Sequence, residues 1–207
     1  MVHASKTALR AQLAAARGGV ADAVRADEAL MLSKHLESLM SRLSSVDTVC
    51  AYAPVGTEAG SIEMLDVLLR RSRRVLLPVA RTAGPGSQGM PLPLRWGEYR
   101  PGTLTPGPWG LLEPPAPVLP ESALAEAGLV IVPALAVDRW GVRLGRGRGF
   151  YDRSLTGRHP GALLLAMVRD EEFVDELPAE THDVPMTHVI TPRRGVLTLV
   201  AGEIPWE

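Results

Sequence analysis

Apolar residues follow two rhythms along the chain. Leu9, Leu13 and Ala16 share one face of a helix predicted over 5–16, with Ser5 as its N-cap. Leu32, Leu36, Leu39 and Leu43 repeat at the same period in a longer helix over 21–43, which ends in serines and Asp47. A third helix is expected after Ser61 as N-cap, bearing Ile62, Leu65, Leu68 and Leu69. Between the helices stand short unbroken apolar runs, the pattern of strands buried on both faces. They fall at 48–53, at 75–79 with Pro78 inside, from Leu129 toward Val137, at 161–168, and near the C-terminal end. Strands alternating with helices predict an α/β fold with a mostly parallel sheet covered by helices. Right-handed crossovers would bring the loops after Ala53, Val79 and Val137 to one edge of that sheet.

The 207 residues suit one domain over 1–207, with no internal repeat and no evident linker. One stretch breaks the rhythm: 82–121 is more than one-third proline and glycine, yet it holds Trp96, Tyr99 and Trp109. Aromatics argue against disorder, so an ordered excursion that partly roofs a site is expected, with a short strand over 90–94. A formal charge of −1 with 46% hydrophobic residues fits a soluble globular chain and argues against a generic nucleic-acid binder. The lone Cys50, inside an apolar run, reads as an inert buried thiol of a reducing compartment. No apolar stretch approaches a membrane span or a secretory signal, so a cytoplasmic location is expected.

Chemistry concentrates in 129–155. After the buried strand, glycine alternates with arginine through Gly145, Arg146, Gly147, Arg148 and Gly149. Phe150, Tyr151, Asp152 and Leu155 follow at the spacing of a helix's first turns. A strand, a glycine loop and a helix start present free backbone N–H groups to an anion. Arg143, Arg146 and Arg148 add guanidinium donors matched to phosphate or carboxylate. The run is neither a Walker A loop nor a G-x-G-x-x-G fingerprint. From the residues alone a polyanion site, a solvated turn and an RNA-binding arginine–glycine tract stay open. A single copy between two ordered elements favours the first over the last.

Other candidates are sparser. Lys6 and Arg10, four apart, share a helix face. Glu58 lies past the carboxyl end of a strand, in the crevice where open α/β sheets bind ligands. His182 and His188 lack zinc spacing and read as loop or structural histidines.

The segment PALAVDRWGVRLGRGRGFYD resembles the signature of the 5-formyltetrahydrofolate cyclo-ligase (methenyltetrahydrofolate synthetase) family. Lys6-x-x-x-Arg10, Gly56-Thr57-Glu58, the run from Trp109 to Pro114 and His182-Asp183-Val184-Pro185 stand in the order of that family's weaker motifs. The resemblance implies a three-layer Rossmann-like fold akin to the sugar-phosphate isomerase/CoA-transferase-like scaffold. It also implies ATP-dependent closure of 5-formyltetrahydrofolate to the 5,10-methenyl form, with Mg²⁺ as cofactor and ADP and phosphate released. Lys6 and Arg10 would reach the ATP phosphates, Lys6 and Arg148 being the residues expected to act in catalysis. Arg143, Leu144, Gly145, Arg146, Gly147, Arg148, Gly149, Phe150 and Tyr151 would wrap the triphosphate. Asp152 would hold Mg²⁺; Ala53, Glu58, Trp109 and Tyr151 would face the folate, with or without a polyglutamate tail. A monomer working on small molecules, without nucleic acid or membrane, is expected. The chain departs from the family pattern at Ala134 (glycine), at Phe150 (tyrosine), and at Thr187, where an aspartate would be a second Mg²⁺ ligand. That last departure motivates a rival reading, a non-catalytic folate or nucleotide binder. A second rival is a sugar-phosphate isomerase-like enzyme using the loop for a monophosphate.

Overall fold

A computed structural model describes residues 5–84, 89–181 and 183–199. Helices α1 (Lys6–Gly18) and α2 (Asp22–Arg42) lead into strand β1 (Thr48–Cys50), helix α3 (Glu63–Arg71) and strand β2 (Arg74–Val79). Ser5 does cap α1, its hydroxyl accepting from the Ala8 amide at 3.3 Å. Ser61 does not cap α3: that helix starts later, with Ile62 at the cap position and no side-chain cap bond.

The excursion contributes strands β3 (Arg95–Glu98), β4 (Thr105–Pro106), β5 (Leu112–Glu113) and β6 (Val118–Leu119). The second half holds β7 (Leu129–Pro133), β8 (Ala136–Asp138), β9 (Arg143–Leu144), helix α4 (Phe150–Ser154), β10 (Leu163–Met167), β11 (Phe173–Val174), β12 (His188–Thr191) and β13 (Gly195–Thr198). Among the described residues one large sheet runs β13-β12-β10-β7-β1-β2-β3-β6. Its centre, from β12 to β2, is parallel, and β13, β3 and β6 join antiparallel at the margins. The expected mostly parallel α/β sheet is therefore present.

The unbroken apolar runs are explained by burial on both faces. Leu129 and Ile131 of β7 point into a cluster with Leu32, Leu36 and Met40 of α2 and Met64, Leu65 and Leu68 of α3. Val130 and Val132 point the other way, into a cluster with Trp96, Leu124, Phe150 and Leu155. The period of two thus fills two cores from one strand.

Three expectations need correction. Strand β1 stops at Cys50 and not Ala53, although Ala51 still donates to the Leu76 carbonyl at 2.9 Å. The strand expected over 90–94 reduces to one bridge, Thr82 with Pro91, while β3 and β6, hidden in the proline-rich composition, extend the sheet. Gly97 within β3 is required by its neighbour: a Cβ there would sit 2.5 Å from Pro114 Cγ. The apolar run from Leu129 does not continue to Val137 as one strand. It leaves the large sheet at Pro133, and β8 and β9 form a hairpin in a separate small sheet with β11. The hairpin turns at Gly141, whose φ of +86° and contact with the Met186 carbonyl leave no space for a side chain.

Candidate active site

Past the carboxyl ends of β1, β2 and β7 lies a cavity of about 460 Å³, inside the range of roughly 300–1,000 Å³ typical of small-molecule sites. The β8–β9 hairpin delivers the glycine–arginine loop to one wall, and α1 lies across it. Arg10 Nε donates to the Gly145 carbonyl at 2.9 Å. The φ of Gly147 is +92°, a conformation that favours glycine, and a Cβ there would also crowd Arg10 Nε at 3.2 Å. Lys6 Nζ lies 3.0 Å from Asp183 and 3.2 Å from Glu180. Arg143, buried, donates to Asp152 at 2.5 Å, and one edge of that half-buried carboxylate still faces the cavity.

The opposite wall is built by Ala53, Glu58, Leu94, Leu111 and Leu112. Glu58 is held by the Val55 amide at 3.0 Å and by Arg146 Nη2 at 3.1 Å. Burial pushes its carboxyl above the ordinary glutamate value, and Arg146 and the Val55 amide oppose that rise without cancelling it. Trp109 arrives from the excursion in a left-handed backbone conformation, φ +58°, uncommon for a bulky residue. Its ring meets Phe150 at 5.4 Å between centroids, and the Arg148 guanidinium lies 5.0 Å above it. Arg81 clasps Glu113 at 2.5 and 3.0 Å and ties the excursion back to the end of β2.

Trp109 Nε1, the Tyr151 hydroxyl and Arg143 Nε are buried without a hydrogen-bond partner among the described residues. All three side chains line the cavity. Unpaired buried polar atoms are costly, and three of them belong to side chains set around this cavity. No group of three or more His, Cys, Asp or Glu placed to hold a metal occurs among the described residues. Asp152, one of four carboxylates at the cavity with Glu58, Glu180 and Asp183, still suits Mg²⁺, which takes one or two protein carboxylates and completes its shell with phosphate and water.

Residues 2–192 match the 5-formyltetrahydrofolate cyclo-ligase family. The chain is 54% identical over 195 residues to the 5-formyltetrahydrofolate cyclo-ligase of Mycolicibacterium smegmatis, spanning 94% of this chain and 97% of that one. The chain belongs to the 5-formyltetrahydrofolate cyclo-ligase family. The Escherichia coli K12 cyclo-ligase is 30% identical over 149 residues, 71% of this chain and 79% of its own. The solved 5,10-methenyltetrahydrofolate synthetase of Aquifex aeolicus, 21% identical, matches with a TM-score of 0.72 over 98% of this chain and 96% of that one. The Mycoplasma pneumoniae 5,10-methenyltetrahydrofolate synthetase, 16% identical, gives 0.70 over 90% and 98%. Both agree on the fold.

Set against the cyclo-ligase pattern, the sequence-predicted residues converge with one exception. Lys6, Arg10, Ala53, Glu58, Trp109, Arg143, Gly145 to Tyr151 and Asp152 all line the cavity. Leu144 does not: its side chain packs with Ala136, Val142 and Leu177 beneath the hairpin. Thr187 is also placed elsewhere. Its hydroxyl accepts from the Leu164 amide at 2.9 Å, at the amino end of β10, so it stands at the wrong end of the sheet for a metal ligand. The carboxylate that the tail does bring to the cavity is Asp183. His188 begins β12 beside Thr187, as a structural histidine should, and His182 lies outside the described residues. Sequence reasoning missed Arg17, which lines the cavity while almost completely buried. Nothing in the spacing of an alanine-rich helix distinguishes it from the other basic residues there.

Proposed function

We propose that this chain closes 5-formyltetrahydrofolate to 5,10-methenyltetrahydrofolate at this cavity, at the expense of ATP. One observation carries the reading: in a family named for that reaction, every cationic residue assigned to the nucleotide and every residue assigned to the folate line one cavity. The formyl oxygen is a poor leaving group. Transfer of the γ-phosphoryl group to it gives an iminium phosphate; N10 then attacks the formyl carbon, phosphate departs and the N10 proton is released.

For such a reaction the protein's work is positioning and charge stabilisation. Lys6, Arg10, Arg143, Arg146 and Arg148 supply cationic donors around the phosphates, and the loop amides of 145–149 supply neutral ones. Arg148 and Lys6 are the side chains assigned to charge that develops on the transferring group. Glu58 accepts from the pterin's N–H groups, while Tyr151, Phe150 and Trp109 offer it aromatic surface. Asp152, with Asp183 in reach of the same cavity, would hold Mg²⁺. Bound there, Mg²⁺ would neutralise phosphate oxygens and orient the triphosphate.

The buried thiol of Cys50 fits a cytoplasmic setting. No helix among the described residues is long and apolar enough to cross a membrane. The rival reading as a mere binder loses its motive, because Thr187 is remote from the cavity.

The deciding assay incubates purified protein with Mg-ATP and 5-formyltetrahydrofolate and follows the methenyl chromophore. ATP-dependent product formation is expected. Binding of both substrates without product would leave the binder reading standing, and turnover without nucleotide would favour an isomerase-like activity.

A further inference from the structure

We propose that Arg17 is a positioning residue for the nucleotide half of this reaction, holding α1, and with it Lys6 and Arg10, in register with the glycine–arginine loop. The inference rests on the activity proposed above. Its first support is the way α1 docks. Leu9 and Leu13, the helix's apolar contacts, are only partly buried against the small cluster of Ala136, Val142, Leu144 and Leu177. The one buried residue of the helix is Arg17, at 2% exposure. A shallow apolar seam on a helix of 13 residues leaves its direction to polar contacts.

Those contacts are specific. Arg17 Nε donates to Glu172 Oε1 at 2.6 Å and Nη2 donates to Oε2 at 2.7 Å, a bidentate fork. Nη2 also reaches the Ala134 carbonyl at 2.6 Å. Glu172 is fixed in turn, since Oε2 accepts from the Arg169 amide at 2.9 Å. Ala134 belongs to the turn where the chain leaves β7 for the hairpin, and Arg143 of that hairpin donates to the adjacent Pro133 carbonyl at 3.4 Å. Arg17 therefore ties the end of α1 to the base of the hairpin, while Arg10 meets the hairpin's outlet at Gly145.

The lever is long. Lys6 stands eleven residues from Arg17, about 16 Å along a helix, so a tilt of about 4° at Arg17 moves Lys6 by about 1 Å. A displacement of about 1 Å in a positioning group can cost about a hundredfold in rate. On the folate side Glu58 is held by the Val55 amide and by Arg146, Arg17 being the weakest of the influences on it, and the hydroxyl of Tyr52, which also lines the cavity, donates to the Ala59 carbonyl at 2.7 Å. Loss of Arg17 should thus fall on nucleotide and leave folate. Lysine cannot reproduce the fork, having a point charge on a flexible stem.

The test uses the full chain carrying Arg17→Met together with Glu172→Gln. Glutamine still accepts from the Arg169 amide, and no buried charge is left unpaired. Affinities for a non-hydrolysable ATP analogue and for 5-formyltetrahydrofolate are measured by calorimetry, alongside the thermal midpoint. The expected result is a midpoint within about 4 °C of wild type. Nucleotide Kd should rise about tenfold and folate Kd change by less than about twofold. Arg17→Lys should show the same split, and it decides on the same two constants if the double variant does not fold. Unchanged constants in a folded variant, or both rising together, would overturn the proposal. The activity itself is judged separately, by whether wild-type protein forms the methenyl product, and the binding comparison decides about Arg17 either way.

Discussion

Asp138 is a motif residue whose role is structural, and the claim can be given a magnitude. Its side chain is fully buried, with Oδ1 accepting from the Trp140 and Val142 amides, each at 2.9 Å, and Oδ2 accepting from the Leu177 amide at 3.0 Å. These bonds shape the β8–β9 turn and pin the 177 segment against the hairpin that carries the loop. Asp138→Ala would strand three amides, two of them in buried bonds, at about 1–3 kcal/mol each. Burial, the largest influence, raises the Asp138 carboxyl above its ordinary value against three backbone bonds that lower it. Its charged form therefore carries a cost that departs with the side chain. The net expectation is a loss of about 3–5 kcal/mol, at the severe end for a single substitution. Asp138→Asn keeps the Oδ1 acceptor for two amides and turns an N–H toward that of Leu177. It should lose about 1–2 kcal/mol, roughly one orphaned donor. Urea unfolding at neutral pH, with equal slopes to confirm comparable unfolded states, measures both. An alanine variant within about 1 kcal/mol of wild type, or an asparagine variant worse than it, would refute the role assigned to these bonds.

Other outcomes follow from the same geometry. Glu58 should lose its charge in a window above the ordinary value of 4.5, because burial outweighs Arg146 and the Val55 amide. The acid limb of kcat/KM for the folate should therefore lie higher than for a solvated glutamate, and Glu58→Gln should abolish that limb; an unchanged profile in the variant refutes it. Arg148→Ala should raise KM for ATP more than KM for folate, and Asp152→Ala should raise the Mg²⁺ concentration needed for half-maximal rate. Unaltered kinetics in both would remove the loop from the nucleotide site. Cys50 is fully buried and its thiol is pushed well above the ordinary range by burial, so a thiol reagent should leave the native protein unmodified and label one group on unfolding. Rapid labelling of folded protein would contradict its placement.

What the sequence made legible depended on how local each signal was. The strand beginning at Leu129 announced itself because both of its faces are buried, and the longer helices because one face repeats. The loop at 145–149 was visible because glycine and arginine at adjacent positions have few structural uses. The ends of elements were less visible: Pro133 stops β7 in mid-run, and the change of sheet at β8 leaves the apolar pattern unbroken. Strands β3 and β6 were hidden because Gly97 and the surrounding prolines satisfy close packing and not strand propensity. The least legible contacts are those that orient α1. Lys6 meets Asp183 across 177 positions, Arg10 meets Gly145 across 135, and Arg17 meets Glu172 across 155. No period or spacing encodes a pair so far apart. Spacing puts Lys6 and Arg10 on one helix face, only the family pattern ties them to the nucleotide, and Arg17 lies outside that pattern. The same distance explains the error at Thr187. A tail motif identifies a residue type four positions along, but only the register of β12 on β10 decides which end of the sheet it reaches. Asp183 lies on the segment that passes the cavity before β12 begins, whereas Thr187, four residues on, is already hydrogen-bonded to Leu164 at the amino end of β10.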